Sequence, residues 1–219
     1  MRLIQFTTRR VSALAFGAAL LGGCQTALKK AVVPGEPVAL APAAFRCPPM
    51  GTVVEYEAGR TITYLAQEQP DACLITNGAR TQSMIYNLVP ADRRAADALR
   101  SVLSKLWPLQ VGKAVTSERD PFLTGNDDID AKFVTGVDET ITVLRSERLI
   151  TPAGTFDTYV IERAYTSLYG NSAGRYYYWY EPQNGLLLKG LYERDSGVNK
   201  VRAPNMTAQR VQVGAGHSQ

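Results

Sequence analysis

Apolar and polar residues alternate with a period of two along most of the chain, in short runs broken by turn residues, and that pattern predicts antiparallel strands. Residues 52–57 and 61–65 flank Ala58-Gly59-Arg60 and predict a hairpin. Further runs predict strands at 73–76, 83–89, 111–118, 131–137, 139–150, 155–164, 174–181 and 185–194. Asn77-Gly78, Pro152-Ala153-Gly154 and the stretch from Pro182 to Gly185 supply the turns. The period changes only once. Over 91–107 the residues Ala95, Leu99, Val102, Leu103 and Leu106 recur at helical spacing, with Arg93, Arg94, Asp97, Arg100 and Lys105 between them. Pro90 and Asp92 are start signals and Pro108 is a stop. The narrow apolar stripe suits a helix that covers one side of a sheet better than one lying on a membrane. The fold class is therefore mostly β (α+β), a curved antiparallel sheet with one amphipathic helix.

The first 24 residues follow a different pattern. Arg2, Arg9 and Arg10 precede an uncharged apolar run from Val11 to Leu21, which Leu21-Gly22-Gly23-Cys24 closes. The run is about half the roughly 20 residues that a bilayer-spanning helix needs, so it reads as a signal peptide. Small residues before a cysteine resemble the lipobox of bacterial lipoproteins. That resemblance implies cleavage after residue 23, acylation of Cys24 (palmitate among its chains) and a periplasmic, lipid-anchored protein. By the same resemblance Gln25, standing where an Asp signals retention in the inner membrane, implies the outer membrane.

Residues 25–44 are rich in Ala and Pro and hold no aromatic residue, so they read as a tether. The sequence thus divides into a signal peptide (1–23), the lipidated Cys24 with its tether (24–44), a folded domain (45–202) and a polar C-terminal tail (203–219). Cys47 and Cys73 remain as an even pair in an exported chain and predict a disulfide.

Composition narrows the chemistry. The chain of 219 residues carries 24 Lys and Arg against 20 Asp and Glu, a formal charge of +4. Removing Arg2, Arg9 and Arg10 with the signal leaves 21 against 20, or +1, so nothing points to nucleic acid. The single histidine, His217, lies in the tail, which argues against His-based triads and metal sites. Asp120, Asn126, Asp127, Asp128 and Asp130 lack the alternate spacing of a calcium loop and read as a solvated loop. Glu55 and Glu57 read as a solvated strand face. The expectation is a non-enzymatic protein with no cofactor and no metal.

Three patches carry a second resemblance. They are W-P-L-Q-V-G-K at 107–113, P-A-G-T-F at 152–156, and W-Y-E-P-Q-N-G-L-L-L-K at 179–189. Together they resemble envelope proteins of Gram-negative bacteria with a W-P-L-x-V-G-K, P-A-G-T-F, W-Y-x-P signature. That resemblance implies a half-barrel similar to the lipoprotein carriers and brings no catalytic residues with it. Eight of the 11 tyrosines fall between Tyr159 and Tyr192. Strand alternation puts Tyr176, Tyr178 and Tyr180 on one face and Tyr177 and Trp179 on the other. The Trp179 face is expected to pack the core and the Tyr176/Tyr178/Tyr180 face to line a groove. The resulting expectation is a membrane-tethered binding module for an acyl chain, a lipoprotein or an apolar peptide. The alternative is an assembly or scaffold factor that binds another envelope protein or polysaccharide machinery.

Cys24→Ser is expected to abolish acylation and block signal processing. Labelled-palmitate incorporation and the mass of the mature N-terminus check this; palmitate retained by the variant would contradict it.

Overall fold

The computed structural model describes residues 34–91, 96–120, 137–167, 173–196 and 205–215. The described strands are β1 (Glu36–Pro37), β2 (Val53–Tyr56), β3 (Thr61–Gln69), β4 (Ala72–Thr76), β5 (Thr81–Ile85), β6 (Val89–Pro90), β7 (Ala114–Asp120), β8 (Val137–Thr151), β9 (Gly154–Ser167), β10 (Ala173–Glu181), β11 (Leu186–Ser196) and β12 (Met206–Gln212). They form one open antiparallel sheet in the order β1-β8-β9-β10-β11-β12-β2-β3-β4-β5-β6, with β7 on the outer edge of β8 beyond β1. Among the described residues there is one α-helix, α1 (Ala96–Ser104). The fold is thus the mostly β, curved open sheet with one helix that the alternation predicts.

Curvature has a local cause. Register shifts interrupt the ladders between Val143 and Arg145 on β8, between Trp179 and Tyr180 on β10, and between Tyr64 and Ala66 on β3. Each extra residue bends its strand and raises the local twist.

An open sheet of this kind must cover its inner face. Leu103, at the end of α1, and Leu106, just beyond it, are fully buried there. They pack among Ile85, Tyr86, Leu88 and Val89 from one half of the sheet, and Ile141, Val143, Tyr159, Ile161, Tyr180 and Leu187 from the other. The helix end therefore sits where the two halves meet.

Two domain boundaries differ from the sequence reading. The tether reading fails from residue 34 onward. Glu36 and Pro37 pair with Arg148 and Glu147, Val38 exchanges hydrogen bonds with Ser146, and Ala43 bridges Leu109. The Ala- and Pro-rich composition is deceptive because this strap borrows its core from the sheet beneath it. Tyr159 Oη donates to the Ala41 carbonyl at 2.7 Å, and Leu40, Ala43 and Phe45 pack on the core cluster. Residues 25–33 lie outside the described residues.

The C-terminal tail reading also fails. Met206–Gln212 form β12, which pairs with β11 on one side and β2 on the other. Its run is short and polar, so what marks it as a strand is pairing with β2, more than 150 positions earlier in the sequence. The acidic loop of 121–130, the strand expected at 131–137 except for Val137, and His217 lie outside the described residues.

Ending the chain at Asn205 removes the strand that joins the halves and the fully buried Ala208. The loss is expected to consume most of the about 5–15 kcal/mol that holds a domain together. A thermal melt followed by circular dichroism should then show no cooperative transition.

Candidate functional site

The inner face of the sheet has two ends, and β10 runs through both. Ladder pairing sets Tyr180 opposite Tyr159, Tyr178 opposite Ile161, and Tyr176 opposite Arg163. The alternation expected from sequence holds: Tyr176, Tyr178 and Tyr180 share one face. That face is the one bearing α1 and the main core, not the Trp179 face, and Tyr180 is fully buried. Tyr180 is therefore a core residue rather than a groove residue. Sequence reasoning assigned the core to the set with the largest apolar side chain; the structure buries Tyr177 and Trp179 on that face and Tyr180 on the other, and leaves Tyr176 and Tyr178 half-buried.

The end beneath the strap is filled by aromatic rings. Trp107 stacks on Tyr86 at 4.4 Å and meets Tyr180 edge-on at 6.1 Å. Phe45 meets Tyr86 at 5.0 Å and Trp107 at 5.8 Å, both edge-on, the geometry that aromatic quadrupoles favour. Tyr180 Oη donates to the Arg46 carbonyl, and burial pushes its phenol far above the ordinary range. Burial also pushes Tyr64 up to about 12, while its hydroxyl accepts a hydrogen bond from Asn87 Nδ2 at 2.9 Å. Asn87 Nδ2 is also within bonding distance of the Gly185 carbonyl at 3.1 Å. Two of the signature patches build this plug. In the first, Leu109 bridges the strap and the Gly112 N–H donates to Val143 on β8. In the third, the Glu181 carboxylate accepts the Gln183 and Asn184 N–H groups, and Gly185 turns at φ 72°. A Cβ at residue 185 would lie 2.2 Å from the Arg46 carbonyl oxygen, so only glycine admits the strap there. Cys47, at the end of the strap, is disulfide-bonded to Cys73 on β4.

The other end of the same face is a tyrosine platform. Tyr176 lies 4.7 Å from Tyr192, 6.0 Å from Tyr165 and 6.3 Å from Tyr178, ring centre to ring centre. The Tyr165 and Tyr192 hydroxyls are 2.8 Å apart. The Arg163 guanidinium lies 5.8 Å from the Tyr176 ring centre and is ion-paired with Glu139 on β8. Gly174 permits the arrangement, since a Cβ there would lie 3.0 Å from the Tyr165 ring. All four tyrosines are half-buried. The sequence reading found Tyr176 and Tyr178 but missed Tyr165, Tyr192 and Arg163. Alternation along β9 from Tyr159 would have signalled Arg163 and Tyr165. Tyr192 could not have been placed, because its register depends on the bulge at Trp179.

Trp179 faces outward and is nevertheless buried. Its indole Nε1 donates to Glu147 Oε1 at 2.6 Å, and Lys189 Nζ stands 4.5 Å from its ring centre. Glu147 Oε2 also accepts Arg145 Nε at 2.6 Å and the strap's Gly35 N–H at 2.9 Å. Burial pushes the Glu147 carboxyl up, but these donors outweigh it and hold the group below its ordinary value.

Cys24 lies outside the described residues. Among the described residues no cluster of three or more His, Cys, Asp or Glu could hold a metal ion, and no helix is long and apolar enough to cross a membrane.

The fold and the site define an open antiparallel sheet protein with a plugged inner face and a tyrosine platform. No protein-family model matches the chain, and no curated protein matches it. Two solved structures are similar. One is a candidate exported protein with a YmcC-like fold from Bacteroides fragilis, at 13% identity and a TM-score of 0.34, covering 78% of this chain and 99% of that one. The other is a candidate lipoprotein from Parabacteroides distasonis, at 15% identity and a TM-score of 0.36, covering 79% and 100%.

A carboxyl held below its ordinary value of 4.5 stabilises the fold fully above that pH and loses the contribution as pH falls through the lower folded value. Glu147→Gln is expected to cost about 1–3 kcal/mol at neutral pH. Urea melts of both proteins check this: the gap should narrow as the pH is lowered below the ordinary carboxyl range and the native carboxylate is protonated too.

Proposed function

We propose that the chain is an exported, outer-membrane lipoprotein that acts as a non-catalytic scaffold, docking another envelope protein on the Tyr165/Tyr176/Tyr178/Tyr192 platform. The export and anchoring part rests on the lipobox at Leu21–Cys24. The observation that carries the docking part is the unequal burial along β10. Tyr180 is sealed beneath Phe45 and Trp107, whereas Tyr176 and Tyr178 are only half-buried. An acyl-chain carrier needs an apolar cavity within its half-barrel. Among the described residues the strap and aromatic rings fill that position at one end of the face, and the tyrosine platform lies at the other. Tyrosines with an adjoining arginine are the residue types that dominate protein interfaces, because each offers a large rigid contact area with a polar edge. The ring contacts among the four tyrosines fix their rotamers beforehand, so less side-chain entropy is lost on docking.

A photo-crosslinking amino acid at Tyr178 is expected to yield one discrete protein adduct in living cells, and the same residue at Gln183 none. Tyr192→Ala should leave the thermal midpoint nearly unchanged but weaken the interaction by about 2 kcal/mol, roughly thirtyfold. Stoichiometric binding of a fluorescent acyl probe, weakened by Tyr178→Ala, would instead establish the carrier reading.

A further inference from the structure

The remaining motif of the sequence, P-A-G-T-F, takes no part in the plug or the platform. It forms the tip of the β8–β9 hairpin, where Thr151 pairs with Gly154 around Pro152 and Ala153. From Leu149 to Phe156 the chain reads L-I-T-P-A-G-T-F, eight residues without a charge. Ile150 is 77% exposed, the highest value among the exposed large hydrophobic residues described. The flanking charges neutralise one another: Arg148 bonds Asp157 at 3.0 Å and Glu36 at 3.4 Å. The β5–β6 turn, Tyr86 to Leu88, is buried, and four other described hairpin turns carry polar residues. The β2–β3 turn carries Glu57 and Arg60, the β3–β4 turn Asp71, the β4–β5 turn Asn77 and Arg80, and the β10–β11 turn Gln183 and Asn184.

The place where the strap enters the fold gives this tip its meaning. β1 runs antiparallel to β8 with Glu36 opposite Arg148. The ladder begins at Glu36, two positions along β8 from Ile150, so the chain enters the described fold near the hairpin tip. Ten residue steps separate Pro34 from Cys24, and they span at most about 35 Å in any conformation. Ile150 and Glu139, which lies beside the tyrosine platform, are 11 positions apart on β8, about 36 Å along a strand. The leash at full stretch is therefore no longer than the distance from tip to platform.

We propose that the tip of the β8–β9 hairpin, with Ile150 foremost, rests on the lipid surface that holds the Cys24 anchor. The occupant is a bilayer: the leash ends in it, and an uncharged turn with one protruding isoleucine suits its interface. One side chain buries too little to hold a free protein on a membrane. On a leash this short the contact is intramolecular in effect, and a weak interaction suffices because the local lipid concentration is high. The contact turns β8 upright and aims the tyrosine platform away from the bilayer. The proposal rests on the lipoprotein reading.

The test uses the acylated mature chain reconstituted in phosphatidylethanolamine–phosphatidylglycerol vesicles. Ile150→Cys carries an NBD fluorophore, and Ser196→Cys, where β11 ends at the opposite end of the sheet, is the labelled control. Both sites are exposed, and with Cys47 and Cys73 bonded each variant has one reactive thiol. Vesicle flotation reports the anchor; quenching by spin-labelled lipids reports the tip. The expected result is flotation of both variants, with a blue-shifted NBD spectrum and several-fold stronger quenching at residue 150. Flotation with equal quenching at both positions overturns the hairpin contact and leaves the anchor standing. Absence of flotation overturns the lipoprotein reading, and the hairpin proposal with it.

Discussion

A sheet whose edges do not meet has an inner face that nothing in its own ladder covers, and the rest of this structure follows from how that face is closed. The short helix alone is too small. Phe45 from the strap and Trp107 from the segment after the helix complete the cover by packing against Tyr86 and Tyr180. The two segments hold each other through the Ala43–Leu109 bridge. Closure thus depends on contacts between residues more than sixty positions apart in sequence. This is why an apparently featureless Ala- and Pro-rich stretch is part of the domain.

The same closure divides the face into two parts. Where the plug sits, phenols are buried and satisfied by backbone carbonyls and Asn87. Beyond it, the tyrosines satisfy one another, as the Tyr165–Tyr192 hydroxyl contact shows, and keep part of each ring accessible. A buried phenol without a partner would cost about 1–3 kcal/mol. The paired hydroxyls avoid that cost without burying the rings, which leaves a firm platform. On the opposite face, Glu147 ties Trp179 to Arg145 and Gly35, so the strap is clamped at its start by a carboxylate and at its end by the Cys47–Cys73 disulfide. A clasp fixed at both ends fixes where the chain enters the described fold.

The sequence by itself determined what depends on neighbours along the chain. Strand alternation, the Asn77-Gly78 and Pro152-Ala153 turns, the helix stripe ending in Leu103 and Leu106, and the common face of Tyr176, Tyr178 and Tyr180 are all local, because the periods 2 and 3.6 are properties of the backbone. The tertiary structure decided which face became the core. That choice depends on the bulges at Arg145 and Tyr180 and on which side the strap crosses, and neither leaves a periodic trace. It also decided that polar β12 is an interior strand of the sheet, since its partners β11 and β2 come from opposite ends of the chain. Tyr192 joined the platform for the same reason: its neighbours were set by register between strands, a long-range quantity that no single run of residues encodes.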